Sequence, residues 1–196
     1  IGDFPASLAY NESVTLKFKQ TNLFTEIKNA FKILIKRHEA LRSVISKNGE
    51  QVIIYKDIPF QLSKIETTTK TYDETLEKLA QDEIQILFDL HTGPLFRATF
   101  VYDETGENSL VITGHHIIFD GWSIGVLLQE LWAIYTSLIK KEEPNLPPPV
   151  QISDYAKEEF VYRNSEEYLK NTKFWVEQFT NYTPFNFPTD RERFHK

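Results

Sequence analysis

Histidines 115 and 116 stand side by side in the stretch GHHIIFDGWS, residues 114–123, with Asp120 and Gly121 close behind. A neutral imidazole, with a pKa of about 6.5, keeps a lone pair available at cellular pH. Set on a loop at the end of a buried strand and facing a channel, it could accept a proton from a substrate or orient it. Asp120 suits two tasks. It could lock the loop, or it could be only the N-cap of the amphipathic helix that follows. Gly121 would leave space where a substrate passes close to the backbone. A metal centre fits poorly, because adjacent histidines on a strand point to opposite faces and no third ligand is apparent. Spacing alone admits a Ser-His-Asp triad, but there is no G-x-S-x-G elbow.

The elements that must hold this loop are legible from periodicity. Asn11–Lys19 alternates Val14, Leu16 and Phe18 with polar residues, a strand pattern. Asn22 would cap a helix with Phe24, Ile27, Phe31, Leu34 and Ile35 on one face, running into RHEALRS at 37–43. KNGE at 47–50 reads as a hairpin turn between strands near 42–46 and 51–55. A second helix is predicted over Tyr72–Phe88, broken by HTGP at 91–94. Strands at 95–102 and 109–114 are joined by DETGEN, and the second delivers the chain to His115. A third helix begins near Trp122, with Ile124, Leu127, Leu128, Leu131, Tyr135 and Leu138 at helical spacing. EEPNLPPPV at 142–150 reads as a Pro-rich, rigid extended connector, followed by one or two helices around 152–180. Hairpins interspersed with helices favour an α/β fold of the α+β sandwich type, a mixed sheet covered by helices, over a doubly wound dinucleotide fold. Neither G-x-G-x-x-G nor G-x-x-x-x-G-K-[ST] occurs, so phosphate cradles have no candidate.

Bulk properties narrow the function. The 196 residues are 41% hydrophobic and 14% aromatic, enough for a real core. A net charge of −6 argues against a nucleic-acid partner, whose phosphates it would repel. With no cysteine, disulfides, Cys metal sites and a cysteine nucleophile are excluded within this chain. No apolar run approaches the roughly 20 residues of a membrane span, and no signal peptide opens the chain, so a cytoplasmic location and no membrane partner are expected. There is also no methionine, so the sequence reads as a piece of something longer.

HHIIFDG resembles the HHxxxDG signature of nonribosomal peptide synthetase condensation domains, part of the superfamily that includes chloramphenicol acetyltransferase. Other stretches lie in the order that family has them. RHEALRSVI (37–45) is similar to RHExLRTxF, with Ser43 and Ile45 replacing Thr and Phe. VQISDYAKEEF (150–160) is similar to YxDFAVW, with Ile152 for Tyr and a Lys-Glu pair for Val-Trp. FWVEQF and FPTDRER within 174–193 resemble the close of the first lobe, and FPASLAYNES (4–13) the stretch after the first motif. The resemblance implies a chloramphenicol acetyltransferase-like lobe over 1–196. The first motif and the C-terminal lobe would be missing, 181–196 would begin the inter-lobe linker, and the fragment alone would be inactive.

The resemblance also implies roles. His116 would be the catalytic histidine of an acyltransferase, with His115, Asp120, Gly121 and Arg42 supporting its loop, and Asp120 paired with Arg42. The reaction would be attack by the amine of an acceptor aminoacyl thioester on a donor acyl or peptidyl thioester, forming an amide in nonribosomal peptide or hybrid polyketide biosynthesis. Phosphopantetheine arms would carry both substrates, with no cofactor bound covalently and no metal. The partners would be upstream and downstream peptidyl or acyl carrier domains, an adenylation domain and the missing C-terminal lobe. His116 could act as base or as a positioning group, and the residues leave that choice open. Rival readings are a free-standing carrier- or CoA-dependent acyltransferase and a non-catalytic docking domain. His38 and Glu39 are assigned packing and capping, and His91 and His195 no role.

Overall fold

The computed structural model describes residues 8–19, 23–183, 188 and 190. The chain divides into two compact units at Ile152/Ser153. The first carries the candidate loop.

Its centre is a four-stranded sheet built from β1 (Asn11–Lys19), β4 (Leu62–Glu66), β5 (Phe96–Tyr102) and β6 (Glu107–His115), in the order β1-β6-β5-β4. β6 is antiparallel to both β1 and β5, while β4 joins β5 in parallel. Strand alternation sorts the side chains into two faces. Val14, Leu16, Phe96, Ala98, Phe100, Leu110 and Ile112 lie on one, packed with α1 (Phe24–Arg37) and α3 (Gly121–Lys140) in the main core. Val101 and Val111 lie on the other, under Tyr72 and Leu76 of α2 (Tyr72–Ile84). The sheet is therefore covered on both faces, as the mixed α/β reading requires.

α1 buries Ile27, Ala30, Phe31, Leu34 and Ile35, the stripe expected of it. Its expected cap, Asn22, lies outside the described residues. Leu23 occupies the N-cap position, without a side-chain cap bond. A 3₁₀ turn, Glu39–Arg42, leads into β2 (Ser43–Ile45), which pairs with β3 (Val52–Ile54) across the KNGE turn. Gly49 takes φ +75 there, a backbone state that L side chains rarely adopt.

Two expectations need correction. α2 ends at Ile84, not Phe88. The Asn11 amide donates to the carbonyls of Ile84 and Ile86 at 2.9 and 3.0 Å, and Arg97 donates to those of Glu83 and Ile86. Long-range donors thus satisfy the carbonyls at the helix end, and the helix stops. Phe88 packs instead in a small core with Ile45, Leu90 and Leu95. Strand β4 is an addition to the expected elements, because LSKIE buries only Leu62 and shows no clean alternation. As an edge strand it relies on backbone pairing to β5 rather than on an apolar face.

α3 meets, by length and composition alone, the threshold for crossing a bilayer, which no run of the sequence was expected to reach. It buries Leu127, Leu131, Ile134 and Tyr135 in the main core. Residues 142–151 form neither helix nor strand. The second unit holds α4 (Ile152–Arg163) and α5 (Glu166–Gln178), neither with a buried residue. Ser165 caps α5 by accepting from the Tyr168 amide. Beyond residue 183 the expected linker lies almost wholly outside the described residues, as does His195.

Candidate active site

β6 runs through the middle of the sheet and ends at His115, where both neighbouring chain segments still hold it. The His115 amide donates to the Leu95 carbonyl at 2.9 Å, and the His116 amide to the Tyr10 carbonyl at 2.7 Å. The chain then turns tightly, with the Ile118 and Phe119 amides donating back to the His115 carbonyl. Asp120 starts α3 immediately afterwards. The loop is therefore anchored by the central strand on one side and by a 20-residue helix on the other.

Strand alternation sends the two histidines to different places. His115 is buried on the α2 face, with the Tyr10 and Phe88 rings at 6.0 and 6.3 Å. Its Nδ1 accepts from the Ile117 amide at 3.1 Å, which leaves the proton on Nε2 in the neutral ring. Burial, with the neighbouring charge of His116 adding, pushes its pKa below the ordinary imidazole value. His115 is thus a buried imidazole whose ring bonds to its own loop.

His116 is 43% exposed. Its Nδ1–H donates to the Phe119 carbonyl, and its Nε2 lies 3.5 Å from Oε1 of Glu12. The Phe119 carbonyl first, and the Glu12 carboxylate second, hold this imidazole above its ordinary range. The residue types alone suggest a neutral ring with a ready lone pair. The geometry makes a second proton easier to hold than in a free imidazole, since Nε2 faces a carboxylate.

Asp120 has the cap role and is well exposed. Its Oδ1 accepts from the Ser123 amide at 2.7 Å and from the Ser123 hydroxyl at 2.6 Å. Those two bonds hold its carboxyl below the ordinary aspartate range. The expected Asp120–Arg42 pair does not form. Arg42 Nε donates to the Ile35 carbonyl at 3.2 Å, and its Nη1 to the Tyr55 carbonyl at 2.5 Å. Its guanidinium therefore ties the last turns of α1 to the exit of β3, and each member of the expected pair is satisfied elsewhere. A Cβ at Gly121 would meet nothing within 4 Å, so the backbone beside the start of α3 is open.

Three residues central to this geometry are not singled out by any sequence motif. A Cβ at Gly114 would stand 1.7 Å from Cδ2 of Phe119, so the buried Phe119 ring sits against bare backbone. That seat sets the position of the carbonyl that holds His116. The pair is readable only as G-x-x-x-x-F, which carries no meaning without the turn. Glu12 faces the loop because β1 registers it with Gly114, a pairing of residues far apart in sequence.

The second motif builds a separate network. Glu130 of α3 accepts from Arg37 at 2.8 Å and contacts His38 Nε2 at 2.6 Å. Burial raises its pKa, but the Arg37 and His38 bonds outweigh that and leave it lowered. Gln151 donates to the Arg37 carbonyl and accepts from the Glu39 amide. His38 thus links the end of α1 to Glu130 of α3, and Glu39 is held through its backbone amide by Gln151, in place of the packing and capping expected of them. His91 directs Nδ1 to the Ile45 carbonyl at 2.9 Å.

The arrangement offers one exposed imidazole, held through Nδ1 beside a carboxylate, on a strand-to-helix loop. It can donate a hydrogen bond from Nε2, or accept a proton there once that position is vacated.

A family model for the condensation domain matches residues 4–196. The chain is 32% identical over 196 residues to a linear gramicidin synthase of Brevibacillus parabrevis, covering 96% of this chain and 4% of that protein. It is 30% identical over 190 residues to surfactin synthase subunit 1 of Bacillus subtilis (strain 168), covering 93% and 5%. This chain thus spans a small fraction of the curated relatives it matches. Among solved structures, the starter condensation domain of rhizomide synthetase aligns with TM-score 0.82 at 17% identity, over 90% of this chain and 44% of that one. The epimerization domain from the third module of tyrocidine synthetase B aligns with TM-score 0.80 at 23% identity, over 97% and 45%. At those identities the structural likeness speaks to the fold alone.

Proposed function

The chain belongs to the condensation-domain family, and from that premise we propose that it is the N-terminal lobe of an amide-forming acyltransferase in nonribosomal peptide biosynthesis. The substrates are a donor acyl or peptidyl thioester and an acceptor aminoacyl thioester, each on the phosphopantetheine arm of a carrier domain. The carrier domains, an adenylation domain and a C-terminal lobe are its partners in one multidomain synthetase, in the cytoplasm. The complete domain, rather than this span alone, is the active unit.

In the reaction the acceptor nitrogen attacks the donor carbonyl carbon, a C–N bond forms and the C–S bond breaks. The sulfur leaves with the bonding pair, and the proton lost by nitrogen balances the thiol released. His116 serves at the nitrogen. Its ring is held through Nδ1, so Nε2 keeps a fixed direction while the amine loses its proton. Asp120 starts α3 in register, His115 packs the loop from below, and Gly121 leaves the backbone beside it uncrowded. Arg42 supports the loop at one remove, by holding α1 to the β2–β3 hairpin.

The observation that carries this reading is the exposed imidazole of His116 on an HHxxxDG loop whose His115 and Asp120 are committed to structure. The test follows acceptor mass in the complete domain with both carriers loaded. Wild type adds the donor acyl mass. His116→Ala loses transfer by about 10²-fold or more while staying folded, because the side chain is partly exposed and outside the core clusters. Absence of transfer in folded wild type would overturn the reaction class, and undiminished transfer in the variant would overturn the role of His116.

A further inference from the structure

Glu12 belongs to none of the motifs that mark the loop, yet among the described residues its carboxylate is the one that faces His116 Nε2. Its Oε1 lies 3.5 Å from that nitrogen, longer than a formed N–H···O bond of about 2.7–3.2 Å. Its side chain is 36% exposed, so one side is open to a ligand. Asp120, a second carboxylate near the ring, already takes two bonds from Ser123. Backbone pairing fixes Glu12 opposite Gly114, at the strand end from which the loop departs.

We propose that Glu12 is the anionic half of an amine subsite, on which the acceptor's α-ammonium docks within reach of His116 Nε2. The inference rests on the acyltransferase reading above and names the residue that selects a cationic acceptor. An α-amine has a pKa of about 8, so it arrives at neutral pH mostly as a cation. A cation entering beside this imidazole would meet a like charge whenever the ring is protonated. A carboxylate between the two removes that barrier, and an ammonium has donors enough to bond it and still point at Nε2.

Docking also changes the histidine. The ammonium takes over the carboxylate and adds a like charge, so any proton on Nε2 leaves to solvent. Nε2 then accepts one proton from the ammonium, leaving a neutral amine as nucleophile; the imidazolium gives that proton to the departing sulfur and takes the second proton that nitrogen loses as the amide forms. Glu12 neither gains nor loses a proton. It is a positioning residue for substrate and histidine, not the base.

The test measures transfer in the complete domain with loaded carriers, varying donor and acceptor separately in wild type, Glu12→Gln and Glu12→Asp. Glu12→Gln keeps shape and removes charge. The expected result is an acceptor KM raised about tenfold, the size of one lost charge-assisted bond, with the donor KM unchanged. Glu12→Asp keeps the charge and stays within about threefold of wild type. An unchanged acceptor KM in Glu12→Gln overturns the proposal, and so does a rise shared equally by donor and acceptor, which marks general damage to the loop. A wild type that transfers nothing overturns the acyltransferase reading itself, a result separate from either of these.

Discussion

Gly114→Ala is the sharpest test of how the loop is held. The three atoms nearest the new Cβ all belong to the Phe119 ring, at 1.7, 2.1 and 3.0 Å. An ordinary contact begins at 3.4 Å, so something must move by more than an ångström. Gly114 pairs with Phe96 on one side and Glu12 on the other, so the central strand is fixed and the ring must leave. Phe119 is 4% exposed and lies edge-on to Phe96 at 6.2 Å. Exposing a buried Phe costs about 1.5–3 kcal/mol, and the gap it leaves takes the loss towards the roughly 3–5 kcal/mol of a Phe→Ala change. We therefore expect a loss of about 3 kcal/mol in urea denaturation. Phe119→Ala should remove most of the clash, so adding Gly114→Ala to it should cost little, a coupling of about 2–3 kcal/mol. The same change pulls the Phe119 carbonyl from His116 Nδ1. The imidazole titration followed by ¹⁵N NMR should then fall from above the ordinary value towards it. Additive single and double variants, or an unmoved His116 titration, would refute this account of the loop.

Arg42→Ala leaves the Ile35 and Tyr55 carbonyls without their donor, a loss of about 1–3 kcal/mol in chemical denaturation. Because Arg42 and Asp120 have separate partners, the shifts in denaturation midpoint of Arg42→Ala and Asp120→Ala should add, and a strong coupling would restore the ion pair that the geometry lacks. Glu130→Gln should lose about 1.5–3 kcal/mol at pH 7, since it breaks charge-assisted bonds from Arg37 and His38. The folded carboxyl titrates below its unfolded value of about 4.3. Its contribution is therefore present above that value and is lost as pH falls through the folded one, so the difference between wild type and variant should shrink at about pH 3 and persist at about pH 7.

What the sequence discloses, and what it withholds, follows a physical line. β1 is legible from the alternation of Val14, Leu16 and Phe18, and α1 from the recurrence of Ile27, Phe31, Leu34 and Ile35. Both patterns are imposed locally, by which face of the element is buried. The cap role of Asp120 is legible for the same reason, being a contact across three residues. The end of α2 is hidden because its carbonyls are claimed by Asn11 and Arg97, distant in sequence. Strand β4 is hidden because backbone pairing, not a side-chain pattern, holds it. Motif resemblance singles out His116, the exposed histidine of the pair, yet misplaces the partner of Arg42. A motif gives residue types and not the partners they find in this fold.

The same reasoning explains why the loop holds together as a unit. Within GHHIIFDG and the serine that follows, Gly114 seats Phe119, Phe119 holds His116 through its carbonyl, His115 closes the strand end, and Asp120 begins the helix. These contacts are local, but the strand end they start from is held by the distant Leu95 and Tyr10 carbonyls. The Glu12 carboxylate adds to the electrostatics from outside, on the neighbouring strand. In this chain the motif thus sets the direction of the imidazole on a strand end that the sheet holds in place. The proton that the imidazole carries depends also on a strand position that the motif does not include. That division places orientation of His116 inside the loop and part of the control over its charge in β1, where a single substitution can alter the second without disturbing the first.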